Sequence, residues 1–64
     1  PGAHASGRAV DIAVRGEQAH KLLQAALNAG FTGIGVSQKG GVRFIHLDDL
    51  PDSKERPRPH VWSY

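Results

Sequence analysis

Hydrophobic and polar residues follow strand and helix periods along the first two thirds of the chain. Residues 9–14 alternate, which predicts a strand with bulky side chains on one side and small or acidic ones on the other. Residues 17–29 carry alanine and leucine at helical spacing and stop before Gly30, a common helix terminator. Residues 31–37 and 42–47 flank a glycine-rich turn, so the pattern predicts an antiparallel hairpin.

The last third of the chain adds an irregular segment and a short apolar end. Residues 48–60 hold three of the four prolines and are rich in charge, so we expect a surface segment without regular structure. The closing residues 61–64, VWSY, are apolar enough to pack back onto the sheet. The pattern therefore predicts an α+β fold, in which a small antiparallel sheet carries one helix packed on it.

Strand alternation also divides the polar residues between two faces. In the first strand, Asp11 shares its face with small alanines, an arrangement that can present a carboxylate in a cleft. One face of the third strand carries Val42, Phe44, His46 and Asp48, and the other carries Arg43, Ile45 and Leu47. Gly33 and Gly35 indicate a place on the second strand where a backbone or a ligand comes close.

Composition narrows the class of protein. The chain has 64 residues, of which 39% are hydrophobic and 22% charged, as in a soluble folded domain. No cysteine is present, which excludes disulfides and thiolate zinc sites. The net charge is only +2 with scattered bases, so we expect no nucleic-acid partner, and no apolar run is long enough to span a membrane. Because the core is small and the first candidate ligand comes so early, we expect residues 1–64 to be one domain, the C-terminal part of a longer one.

Two imidazoles and one carboxylate form the candidate site. His4 and Asp11 belong to the string H-x-x-G-x-A-x-D, and His46 lies on the third strand. Zinc accepts this ligand set, and three protein ligands leave the fourth position to water, as in catalytic zinc sites. The residues therefore predict a zinc site made of His4, Asp11 and His46.

The same strings resemble a known family. Residues 4–11, HASGRAVD, resemble the signature of the zinc D-Ala-D-Ala carboxypeptidases, and residues 30–49 resemble the later segment of the same peptidase family. The terminal WSY is similar to its frequent ending. The resemblance implies a Hedgehog/DD-peptidase-like fold, Zn²⁺ on His4, Asp11 and His46, and a zinc-bound water that attacks a peptide of bacterial peptidoglycan. It also implies a periplasmic, extracellular or phage-encoded lytic setting.

The general base and the substrate-binding cation are less well defined by the resemblance. Some branches place an acidic residue three positions before the last ligand, where this chain has Arg43. We therefore take Asp48, two residues after His46, as the candidate catalytic base; the alternative is that Asp48 orients His46 or caps the following turn. Arg8 and Arg43 are the candidate partners for a substrate carboxylate, chosen by charge.

Other functions stay open at this point. The chain can be a non-catalytic, zinc-containing cell-wall-binding module instead of a peptidase of carboxypeptidase or endolysin type. His60 is a rival third ligand, whereas His20 on the helix is expected to be solvated. Trp62 and Tyr64 are expected in the core or in the wall of a cleft.

Overall fold

A computed structural model describes residues 8–64, and it contains each of the predicted elements. The elements in chain order are β1 (Ala9–Ala13), α1 (Gly16–Ala29), β2 (Gly33–Ser37), β3 (Phe44–Asp48) and β4 (His60–Ser63). The strands β2 and β3 each begin two residues later than the alternation predicts. The residues between β3 and β4 form no helix or strand, as the prolines predict.

The four strands form one sheet in the order β1-β3-β2-β4. Strand β3 pairs antiparallel with both β1 and β2, which confirms the hairpin, but β4 pairs parallel with β2. The sheet is therefore mixed, not purely antiparallel as the sequence predicted. Strand β3 ends at Asp48 and β4 begins at His60, and both residues are register partners of Gly33, the first residue of β2. The connection from β3 to β4 therefore passes only this end of β2, and β4 runs in the same direction as β2.

Helix α1 ends as the sequence predicts. Gly30 has a φ of 91° in the left-handed region, where a side chain is strained, and its N–H bonds back to the last turn of the helix. Among residues 8–64, no side-chain hydrogen bond caps the helix at its N-cap residue Arg15, but Glu17 places a negative charge near the positive end of the helix dipole.

The core lies between α1 and one face of the sheet. Its buried residues are Ala19, Ala26, Ile34, Ile45 and Leu47. Partly buried side chains surround them, namely Ile12, Val14, Leu22, Leu23, Phe31 and Val36. Two residues predicted for this face are only marginal to it: Val10 on the outer strand β1 and Leu27 are both largely exposed. The α+β architecture with one packed helix is confirmed.

Within residues 8–64, no helix has the length and apolar character that a membrane crossing requires.

Candidate metal centre and its support

Side chains from neighbouring strands form a row on the face of the sheet opposite the helix. Asp11, His46, Gly35 and Trp62 are register partners across all four strands. Directly paired residues point to the same face, so we call these four residues the site row. Because Gly35 has no side chain, the Trp62 indole lies over β2, with its ring centroid 5.3 Å from that of His46. A Cβ on Gly35 would come within 2.5 Å of the indole nitrogen.

A parallel row one step along the sheet supports the first one. Asp48 and Gly33 are register partners here, with Ala9 and His60 on the outer strands. Asp48 is completely buried, and its carboxylate fills the space that a side chain on Gly33 would need. The predicted close approach at the two glycines of β2 is thus made by side chains of this chain.

The buried carboxylate of Asp48 accepts four hydrogen bonds. The guanidinium of Arg58 donates from Nε to Oδ1 at 2.8 Å and from Nη2 to Oδ2 at 2.7 Å. The Leu50 amide reaches Oδ1 at 3.3 Å, and Nε2 of His46 lies 2.7 Å from Oδ2. Hydrogen bonds from Arg58 hold the pKa of Asp48 well below its usual range, although burial opposes them. Asp48 is therefore an anion with its acceptor positions filled.

Arg58 is itself held from several sides. Its guanidinium lies 5.1 Å from the centroid of the Trp62 ring, a cation–π distance. Its backbone N–H donates to Oδ1 of Asp52 at 2.8 Å, and its Nη1 donates to the carbonyl of Pro57 at 2.8 Å. The hydrogen bonds to Asp48 raise the pKa of Arg58, so the pair stays charged.

His46 connects the two rows. Its side chain is 8% exposed, and while Nε2 contacts Asp48, Nδ1 lies 3.0 Å from Oδ1 of Asp11. An ionised carboxylate only accepts hydrogen bonds, so Nε2 must be the donor to Asp48. In a neutral ring Nδ1 then presents a lone pair to the oxygen of Asp11. Two acceptors this close repel each other, and a cation bound between them would remove this repulsion.

The donor pair of Asp11 and His46 fits zinc chemistry. Zinc takes imidazole nitrogen and carboxylate oxygen at about 2.0–2.2 Å, which places two such ligands about 3.3 Å apart in a tetrahedral site. The observed separation of 3.0 Å is close to this value. A second carboxylate on the far nitrogen of the imidazole is the usual support of a metal-binding histidine.

The structure brings together two of the three predicted ligands. His4 lies outside the described residues, so its predicted role as a ligand stays a prediction. Among residues 8–64, no group of three or more histidine, cysteine or acidic side chains is placed to hold a metal ion. Asp48 contacts Nε2 of His46, whereas Asp11 contacts Nδ1. His60 is exposed and stacks on Trp62, with ring centroids 5.7 Å apart.

The two arginines predicted to bind substrate lie elsewhere. Arg8 pairs with Asp49, with Nε 3.1 Å from the carboxylate, and Nε of Arg43 donates to the carbonyl of Gly40 at 3.0 Å. Both lie just outside the strands, Arg8 directly before β1 and Arg43 directly before β3. The structure does not bring them to the site row, and no observation tests their predicted role in substrate binding.

Sequence reasoning missed Arg58 as a member of this site. The sequence did indicate that another part of the chain covers β2, because two glycines at alternate positions leave one face of this strand without side chains. Nothing in the spacing distinguishes Arg58 from Lys54 and Arg56, the other bases of the same segment. Only the return of the chain as β4 decides which of them reaches Asp48.

The described residues thus place a histidine, held by a buried carboxylate, beside a second carboxylate on one face of a small α+β domain. Comparison with known proteins gives the family of this chain. The family model described as Peptidase M15 matches residues 2–48, well over half of the chain. The chain therefore belongs to the M15 peptidases, and the predicted family is confirmed.

The family match fits the observed fold and supports a peptidase. The helix and sheet agree with the Hedgehog/DD-peptidase-like fold that the sequence predicted. Searches of curated proteins and of solved structures gave no match. The matched segment contains Asp11, His46 and Asp48 but ends before Arg58 and Trp62.

Proposed function

We propose that this protein is a zinc peptidase that cleaves the stem peptides of bacterial peptidoglycan, as a D-Ala-D-Ala carboxypeptidase or an endolysin-type endopeptidase. Membership of the M15 peptidases supports peptide hydrolysis. One observation carries the zinc: Nδ1 of His46 faces Oδ1 of Asp11 at 3.0 Å while the other ring nitrogen is held by Asp48. The choice of peptidoglycan rests on the resemblance of residues 4–11 and 30–49.

In this proposal His4, Asp11 and His46 hold the metal. Zinc, when bound, supplies an activated water and polarises the carbonyl that is attacked. Within residues 8–64, Asp11 on β1 is the most exposed of these side chains, at 47%, whereas His46 and Asp48 are buried. A peptide can therefore approach from the Asp11 side of the site row.

The remaining residues shape and hold the site. Asp48 fixes the His46 ring, and Trp62 forms a wall beside it. Tyr64 continues this wall and contacts Phe44, with ring centroids 5.0 Å apart. The aromatic wall covers the β4 side of the centre, which favours approach of a substrate from the opposite edge.

Metal content and peptide cleavage test the proposal. We expect one zinc per chain, and release of D-alanine from a synthetic peptide ending in D-Ala-D-Ala or cleavage of purified peptidoglycan. His46→Ala and Asp11→Asn should remove both zinc and cleavage, as should His4→Ala. His20→Ala and Glu55→Gln, which change exposed residues outside the site, should keep both.

The outcomes separate the candidate functions. A protein that takes up no zinc, or whose zinc content is the same in all three ligand variants, contradicts the proposed centre. A zinc-loaded protein that cleaves neither substrate, yet binds peptidoglycan, would be the non-catalytic cell-wall-binding module.

A further inference from the structure

We propose that Arg58 is a positioning residue of the metal centre: through Asp48 it determines which nitrogen of His46 carries the proton and which faces Asp11. Where it concerns zinc, this inference rests on the proposed function. Arg58 lies beyond the family-matched segment, which ends at Asp48. The proposal therefore makes residues 49–64 part of the site.

The first step is the geometry of the buried ion pair. The fork of Arg58 meets both oxygens of Asp48, at 2.8 and 2.7 Å. The side chains are 8% and 0% exposed, so neither charge is shared with bulk water. A two-point contact of this kind fixes the plane of the carboxylate as well as its charge.

The second step is the saturation of Asp48. A carboxylate has about four acceptor positions. Arg58 fills two of them and the Leu50 amide a third, so the last one on Oδ2 points to Nε2 of His46. Because the ionised Asp48 can only accept hydrogen bonds, His46 must donate to it from Nε2.

The third step compares the two carboxylates that flank the ring. Asp48 is fully buried and lies 2.7 Å from Nε2, whereas Asp11 is 47% exposed and lies 3.0 Å from Nδ1. The exposed carboxylate is screened by water, and the buried one is not. The proton of a neutral ring therefore belongs on Nε2, and Nδ1 keeps the lone pair that a metal ion needs.

Occupied acceptor positions also argue against Asp48 as the general base. A base must accept a proton from the attacking water, and it needs an acceptor position directed at that water. The four contacts of Asp48 leave none. The geometry thus favours the alternative that the sequence left open, in which Asp48 orients His46.

Nitrogen NMR of the histidine rings tests the proposal directly. The full ¹⁵N-labelled chain is studied at alkaline pH, where imidazoles are neutral, with and without zinc. The wild type should show His46 as the Nε2–H tautomer in both states. In the double variant Asp48→Asn/Arg58→Met, a carboxamide can donate or accept, so we expect both tautomers of His46 without zinc.

The double variant is chosen because removing one charge alone leaves its buried partner unpaired and can unfold a small chain. Arg58→Lys keeps the charge but loses the fork, and it should retain the Nε2–H tautomer. Arg15→Met is the matched control, since Arg15 is an exposed arginine at the start of α1. An Nδ1–H tautomer in the wild type, or a pure Nε2–H tautomer in the double variant, would overturn the proposal.

Zinc affinity provides the second measurement. Competition with a chromophoric chelator should show zinc binding about 10- to 100-fold weaker in the double variant and an intermediate loss in Arg58→Lys. If Asp48 were the general base instead, the double variant would keep the wild-type zinc affinity and lose only turnover, a result that contradicts positioning. If the wild type binds no zinc, the proposed function fails, but the tautomers of the metal-free chain still decide the role of Arg58.

Discussion

The two faces of the sheet are held together by different physical interactions. The helix face is aliphatic, with Ile45 and Leu47 of β3 buried under α1. The opposite face of the same strand presents His46 and Asp48, which are just as buried but are held by directional hydrogen bonds and by the charge of Arg58. Aliphatic packing tolerates small changes in volume, whereas a buried charge tolerates neither displacement nor loss of its partner. The face that carries His46 and Asp48 is therefore more sensitive to substitution than the helix face.

The largest expected effect is at Gly33. In Gly33→Ala the new methyl group would overlap the carboxylate of Asp48, which cannot move without leaving Arg58 unpaired. We expect a loss of unfolding free energy of about 3–5 kcal/mol, measured by urea denaturation. Gly41→Ala is the matched control, because a Cβ there meets nothing within 4 Å, and it should change stability by less than about 0.5 kcal/mol. Equal effects at the two glycines would refute the special sensitivity of the site face.

Gly35→Ala should have the next largest effect. Its methyl group would lie 2.5 Å from the indole nitrogen of Trp62, so the ring must shift away from His46. A loss of about 1–3 kcal/mol is expected, together with a change in tryptophan fluorescence. In a Trp62→Leu background the same change should cost much less, because the overlapping ring is gone. A cost that is unchanged in that background would mean that the indole does not occupy this space.

Ile45→Val tests the helix face with a conservative change. Removing one methylene from this buried side chain should lower the unfolding free energy by about 0.5–1.5 kcal/mol. Zinc content and the His46 tautomer should stay as in the wild type, because Ile45 points away from the site row. Loss of zinc in this variant would show that the two faces are not independent.

The smallest effect is expected on the outer surface of α1. Glu17 and Lys21 form an exposed pair with 3.5 Å between nitrogen and oxygen. Glu17→Gln should therefore reduce stability by about 0.5 kcal/mol or less, and added salt should remove most of the difference. A loss comparable to that of Ile45→Val would contradict the ranking of the two surfaces.

The helix face could be predicted almost completely from the sequence. The alternation of β1 and β3 and the helical spacing of α1 place Ile45 and Ala26 in the core, and Ile12 against it, without knowledge of the sheet order. The hydrophobic pattern does not show how much of a side chain its neighbours cover at the edge of the core. Val10 and Leu27 are therefore more exposed than expected.

The site face could be predicted only in part. Asp11, His46 and Asp48 were found because short motifs carry them, and alternation correctly placed the two residues of β3 on one face. Arg58 and the parallel pairing of β4 were missed, because an irregular segment has no period from which its return can be read. The arginines at positions 8 and 43 were chosen by charge alone, and alternation already placed Arg43 on the face opposite His46.

The contact between Asp48 and Arg58 also closes a loop. The chain between them contains a small turn in which Ser53 and Arg56 bond to each other's backbone, and Asp52 anchors the Arg58 amide. The entropy of closing such a loop grows slowly, by about 0.6 kcal/mol for each doubling of its length. Insertions near Ser53 should therefore cost little stability, while the ion pair of Asp48 and Arg58 continues to hold the imidazole of His46 in place.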